Sequence, residues 1–146
     1  MNIHQSIRME RHSDAVAVGT TTITPSPGVN TAGFETCLFA VIWGTITDAP
    51  SIKVQQSDDD GATDAYSDLA GTSVAVLATD DDLITWVEIA NPVKLWLKVI
   101  VTRGGATGSV LDGIIALLGD HYRQGVTQSA AVGGGEFHDG PAEGTA

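Results

Sequence analysis

Hydrophobic residues recur along this chain in short runs with a period of two, separated by glycine, proline or acidic clusters. The run from Phe34 to Ile46 is apolar on both parities, which predicts a central strand covered on both faces. From Ser51 to Gln56 the pattern alternates, with Ile52 and Val54 on one side and Lys53 and Gln55 on the other. Asp58-Asp59-Asp60-Gly61 follows as a turn, since aspartate caps turns and glycine accepts left-handed backbone. Thr72 to Leu77 predicts a further short strand before the acidic turn Asp80-Asp81-Asp82. Leu83 to Ile89 then pairs with Val93 to Val101 across Asn91-Pro92. In the second of these, Val93, Leu95, Leu97, Val99 and Val101 share a core side, and Lys94, Trp96, Lys98 and Ile100 share the opposite side. Val110 to Leu118 closes the core as a strand, because Gly113 and the β-branched Ile114-Ile115 disfavour helix.

The two ends read differently. Residues 1–12 show no sustained period and predict an N-terminal arm. The threonine-rich segment from Ala15 to Pro25 predicts an edge strand, stopped by Pro25 and Pro27. Beyond Gly119 the glycines at 133–135, 140 and 144 leave too little apolar surface to offset ordering, so residues 123–146 predict an extended tail that orders on a partner. The fold expected of residues 13–122 is all-β, an antiparallel sandwich or jelly roll of about seven or eight short strands.

Composition narrows the function. Hydrophobic residues make up 42% of the 146 and charged residues 17%, enough for one core and too little charge for a disordered chain. The net charge of −11 makes a grip on phosphate backbones unfavourable and excludes nucleic acid as the expected partner. No apolar run is long enough for a membrane span and the N-terminus lacks a signal-peptide core, which predicts a protein that stays in a cytoplasm-like compartment until assembly. Cys37 has no second cysteine to pair with and lies in an apolar run, where a buried inert thiol is expected.

Catalytic and metal chemistry find no anchor in the pattern. His4, His12, His121 and His138 sit in the arm, at its border and in the tail, none at metal-ligand spacing, and read as solvated or interface histidines. With Gly61 at the sixth position of a calcium loop, Gln56 and Ser67 fall where the key carboxylates belong, so this is a solvated turn. Gly133-Gly134-Gly135 reads as a linker, and no nucleophile-elbow or phosphate-loop motif occurs. No cofactor, metal or enzymatic activity is expected. Trp43, in its apolar strand, is expected in the core. Trp96, between Lys94 and Lys98, is expected at an interface. The candidate interaction residues are thus Lys94, Trp96 and Lys98, joined by Trp86, by Arg8 and Arg11 of the arm, and by Phe137 of the tail.

Several ordered motifs carry a resemblance. Ala32-Gly33-Phe34-Glu35 opens an apolar strand; Val54-Gln55-Gln56-Ser57-Asp58-Asp59-Asp60-Gly61 and Asp68-Leu69-Ala70-Gly71-Thr72-Ser73-Val74 follow; then come the basic strand Val93 to Thr102 and the terminal Pro141 to Ala146. Together they resemble a family of small proteins encoded in the structural regions of tailed bacteriophages and prophages. The resemblance implies a capsid cement or decoration protein with a jelly-roll fold, clamping the major capsid protein as a dimer or trimer on the outside of the virion. The alternative is a tail or baseplate module, or a carbohydrate-binding sandwich with Trp86 and Trp96 as stacking platforms.

Overall fold

The computed structural model describes residues 3–120 and 129–146. Among them the chain forms a one-turn helix, α1 (Ile3–Ser6), and eleven strands. These are β1 (Arg8–Ser13), β2 (Val16–Gly19), β3 (Val29–Asn30), β4 (Thr36–Ile46), β5 (Ser51–Ser57), β6 (Ser67–Asp68), β7 (Val74–Ala75), β8 (Ile84–Ala90), β9 (Trp96–Thr102), β10 (Ser109–Gly119) and β11 (Val132–Asp139). They make a β-sandwich. The large sheet runs β1-β10-β4-β8-β11 with β2 also on β10, and the small sheet runs β3-β9-β5-β6 with β7 also on β5. Every pair is antiparallel except β8 with β11, which is parallel.

The core lies between the sheets and follows the period of two. From the large sheet come Phe39, Val41 and Trp43 of β4 with Val87 and Ile89 of β8; from the small sheet come Ile52, Val54, Leu97, Val99 and Val101. Trp43 is in the core, as its strand predicts, and its indole N–H donates to Thr85 Oγ1 at 3.0 Å, so the polar end is satisfied. Along β10, Leu111 and Ile114 both face inward because the register against β4 shifts between Leu111 and Gly113, a bulge that reverses the alternation.

Leu83–Ile89 and Val93–Val101 do not pair with each other, since β8 lies between β4 and β11 in the large sheet and β9 between β3 and β5 in the small one, and three further expectations fail. The first is the arm: residues 8–13 form β1, paired with β10 from Arg8–Leu118 to Ser13–Ile114. Its inward positions are polar, so no hydrophobic period marks it, yet the free backbone edge of β10 supplies the pairing. Second, the tail does not extend. β11 adds to β8 over Val132–Asp139, and the last residues cross to the small sheet. There the Ala70, Gly71 and Gly144 amides donate to the Ala142, Thr145 and Asp68 carbonyls. Composition argued from missing side-chain burial, whereas this segment is held by backbone hydrogen bonds. Glycine even fits better here: a Cβ at Gly135 would lie 2.3 Å from the Trp86 indole. Residues 121–128, including His121 and the start of the predicted tail, lie outside the described residues.

The third failure concerns the basic strand. It begins at Trp96, and Val93 and Leu95, expected in the core, are 68% and 50% exposed. The predicted edge strand is also shorter, β2 covering only Val16–Gly19, after which Ile23 bridges to Val101 of the small sheet. Arg103 holds that crossing. Its buried guanidinium donates to the carbonyls of Ala17, Thr21 and Ser109 at 2.8 to 2.9 Å, so its polar atoms are met without a carboxylate.

Candidate functional site

The sequence candidates separate between the two outer sheet faces. At the small sheet, Lys94, Trp96 and Lys98 were expected to reach a partner, and the chain itself occupies the two lysines. Lys94 Nζ pairs with Asp64 at 2.8 Å and Glu143 at 2.7 Å, and these carboxylates hold its pKa above the ordinary lysine value. Lys98 Nζ lies 3.7 Å from the Tyr66 ring centroid, a cation–π contact, and burial lowers its pKa. Trp96 is half-buried at the start of β9. Lys53 completes the pattern by pairing with Asp68 at 2.6 Å, to which Gln55 also donates at 2.7 Å.

The acidic loop beside them is closed by its own bonds. Asp59 accepts from the Thr63 and Asp64 amides and from the Thr63 hydroxyl, and these donors pull its pKa down to about 2. Asp60 Oδ1 accepts from the Tyr66 hydroxyl at 2.6 Å and the Gly28 amide at 2.9 Å, and the Asp58 amide donates to Asp64. Among the described residues no group of three His, Cys, Asp or Glu is placed to hold a metal ion.

The large sheet presents the opposite surface. Cross-strand register places Met9, Leu117, Leu38, Glu88 and Phe137 side by side across five strands on its outer face. The next row is Arg11, Ile115, Ala40, Trp86 and Gly135, and beyond it lie Ile42 and Ile84. Only Arg11 and Glu88 in these rows carry charge. Met9 is 64%, Ile115 38% and Phe137 50% exposed, while Leu38, Ala40, Ile42 and Trp86 are half-buried by their neighbours. This is a continuous apolar patch of the kind that marks protein interaction sites. Three sequence candidates, Arg11, Trp86 and Phe137, converge here; Arg8 does not. It turns to the other side of β1, its guanidinium 5.0 Å from the Phe34 ring centroid, bonded to the Asn30 carbonyl and paired with Glu10 at 3.3 Å.

The sequence did contain the missing signal. β4 is apolar on both parities, read as a strand covered on both faces; its Cys37, Phe39 and Val41 side is buried and its Leu38, Ala40 and Ile42 side is only partly covered. The same holds for Ile115 and Leu117 of β10. Two-sided hydrophobicity here records an outer face with few charges.

His12 lies between the sheets, contrary to the solvated or interface role expected of it. The tip of β1 carries it inward, where it is 8% exposed, and Nε2 accepts the Val99 amide of β9 at 3.2 Å. β3 is too short to reach that amide, and the imidazole serves in place of a strand. Burial, reinforced by Lys98, lowers its pKa to about 4, so the acceptor stays neutral at pH 7. Cys37 is buried, and burial pushes its thiol far above the ordinary value. His138 pairs with Glu136 at 3.1 Å near the outer edge of β11.

No helix among the described residues is long and apolar enough to cross a membrane. No family model, curated protein or solved structure matches the chain.

Proposed function

We propose that this chain is a non-enzymatic structural protein, an accessory cement or decoration protein that binds the major capsid protein shell of a tailed phage from outside. The observation that carries the reading is the bare apolar face of the large sheet, with Trp86 near its centre and Phe137 and Met9 at its ends. Burying such a face is favourable by roughly 25 cal/mol per Å² of apolar surface, and large aromatics supply most interface energy. The face offers few hydroxyl, amide or carboxylate groups to orient a sugar, so a protein surface suits it better than a carbohydrate.

The rest of the molecule supports the same role. Its C-terminal segment joins the edges of both sheets, which favours a body that docks without reshaping. A net charge of −11 suits the outer wall of a capsid, away from packed DNA. Sequence resemblance to small phage structural proteins supplies the specific setting. The test is copy number in purified virions of the encoding phage or prophage, read by quantitative gel densitometry. The cement reading expects a stoichiometry near that of the major capsid protein. Far fewer copies would move the chain to the tail or baseplate, and absence from the particle would reject a virion role.

A further inference from the structure

Resting on the reading of the large-sheet face as a protein-binding surface, we infer that its occupant is a second copy of this chain, packed back to back about a two-fold axis. Charge decides between occupants. An acidic chain built to dock this face on a basic partner would carry its carboxylates there, yet of 18 Asp and Glu in the sequence only Glu88 stands in the three rows. Arg11 offsets it. The three rows are a neutral island on a strongly acidic body, bordered by the exposed Asp112 beside Gly44, and their one positive and one negative group sit on different strands, β1 and β8.

A two-fold axis running along the strands between β4 and β10 makes these groups complementary. It lays β10 on the second copy's β4, and β1 on its β8. Ile115 then faces the small Ala40 of the second copy, and Leu117 faces its Leu38. Arg11 comes over the second copy's Trp86, within reach of Glu88 one row away, and each contact occurs twice, as an isologous interface requires. Arg11 now pairs with Asp14 at 2.6 Å, but both side chains are largely exposed, so the pair is easily exchanged. Strands ~4.8 Å apart and ~3.4 Å per residue give the four overlapping strands about 400 Å² on each copy, with β11 outside the overlap. The total of roughly 800 Å² falls below the ~1,000 Å² of a stable specific interface, which implies a weak dimer that dissociates on dilution. Such a dimer presents two copies of every remaining surface, the geometry of a clamp between neighbouring shell subunits.

The test is sedimentation velocity of the full chain over a hundredfold range of concentration, with Ile115→Asp, Met9→Glu, Arg11→Glu, Glu88→Arg and the Arg11→Glu/Glu88→Arg double variant. Circular dichroism checks each fold; Met9, at 64% exposure on an edge strand, is the variant least able to disturb it. The wild type should move from the 15.1 kDa monomer toward twice that mass. Ile115→Asp and Met9→Glu should stay monomeric, each single charge reversal should weaken association at least tenfold, and the double variant should recover most of it. A wild type monomeric throughout, or a dimer that persists in folded Ile115→Asp and Met9→Glu, overturns the inference. Occupancy on bare capsids, measured beside it, separates the two readings. A monomer whose face variants lose the shell means that the capsid takes this face: the inference fails and the cement reading stands. A dimer broken by the face variants that never binds shells upholds the inference and removes the cement reading. A monomer with unchanged shell binding means that neither a second copy nor the shell takes the face, and the inference fails.

Discussion

The two outer faces of this sandwich solve opposite problems with the same backbone. On the small sheet each lysine has a partner within the chain: Lys53 with Asp68, Lys94 with Asp64 and Glu143, Lys98 with the Tyr66 ring. The large sheet presents Met9, Leu117, Ile115, Ala40 and Trp86 to the outside with only Arg11 and Glu88 among them. A face whose charges are already satisfied gains little from a partner, because breaking and remaking ion pairs at a surface is nearly neutral. A face of half-exposed aliphatic and aromatic groups gains from every area it covers. Basic residues beside a tryptophan are thus a weaker sign of an interface here than an apolar strand with no polar side.

The sharpest way to break this comparison lies within one strand. Ile114 is fully buried and Ile115, its neighbour on β10, is 38% exposed. Ile114→Ala should cost roughly 2–5 kcal/mol in urea denaturation through lost burial and the cavity left behind, whereas Ile115→Ala should cost well under 1 kcal/mol in the dilute monomer. Equal losses would mean that the outer face is itself a packed core.

The second effect concerns the link between the sheets. His12 has a folded pKa of about 4 against an ordinary 6.5, so the unfolded chain binds the proton first as pH falls. Stability from this group is complete above pH 6.5 and is lost progressively down to about pH 4, by about 3 kcal/mol at most. Denaturation of the wild type and His12→Gln across that window isolates the term from the carboxylates common to both. The two curves should converge as pH falls; parallel curves would show that the imidazole is neither buried nor an acceptor.

A smaller effect belongs to the small-sheet side. Glu143→Gln removes the carboxylate that Lys94 and Gln56 share and should raise protease cleavage within residues 140–146, leaving the sandwich folded. Unchanged cleavage would assign the anchoring to the backbone bonds of Ala142, Gly144 and Thr145 alone.

Sequence carries the sandwich well and the interaction surface poorly, for identifiable physical reasons. β5 and β9 announce themselves by alternation, β4 and β8 by apolar runs between turn signals, and Trp43 by its apolar surroundings. β1 and β11 do not, since their pairing energy is in the backbone and, Met9, Val132 and Phe137 apart, their side chains are polar or glycine. The contacts of Lys94 and His12 are equally hidden. Asp64 lies 30 residues from Lys94, and Val99 lies 87 from His12. Such distant pairings leave no local pattern, and a lysine–tryptophan–lysine strand reads as unpartnered until they are seen. Arg11, Trp86 and Phe137 stand far apart in sequence and meet only through the register of β1, β10, β4, β8 and β11.

The comparison is tested most directly by the two tryptophans that the sequence treats alike, Trp86 on the large-sheet face and Trp96 on the small sheet. Occupancy of bare capsids is measured with folded Trp86→Ala and Trp96→Ala, each titrated against the wild type. Trp86→Ala should weaken binding at least tenfold, because losing the central aromatic of the face also loses the second copy that doubles the shell contacts, and Trp96→Ala should bind within about twofold of wild type. Full binding by Trp86→Ala together with loss in Trp96→Ala would place the partner on the small sheet and contradict the account.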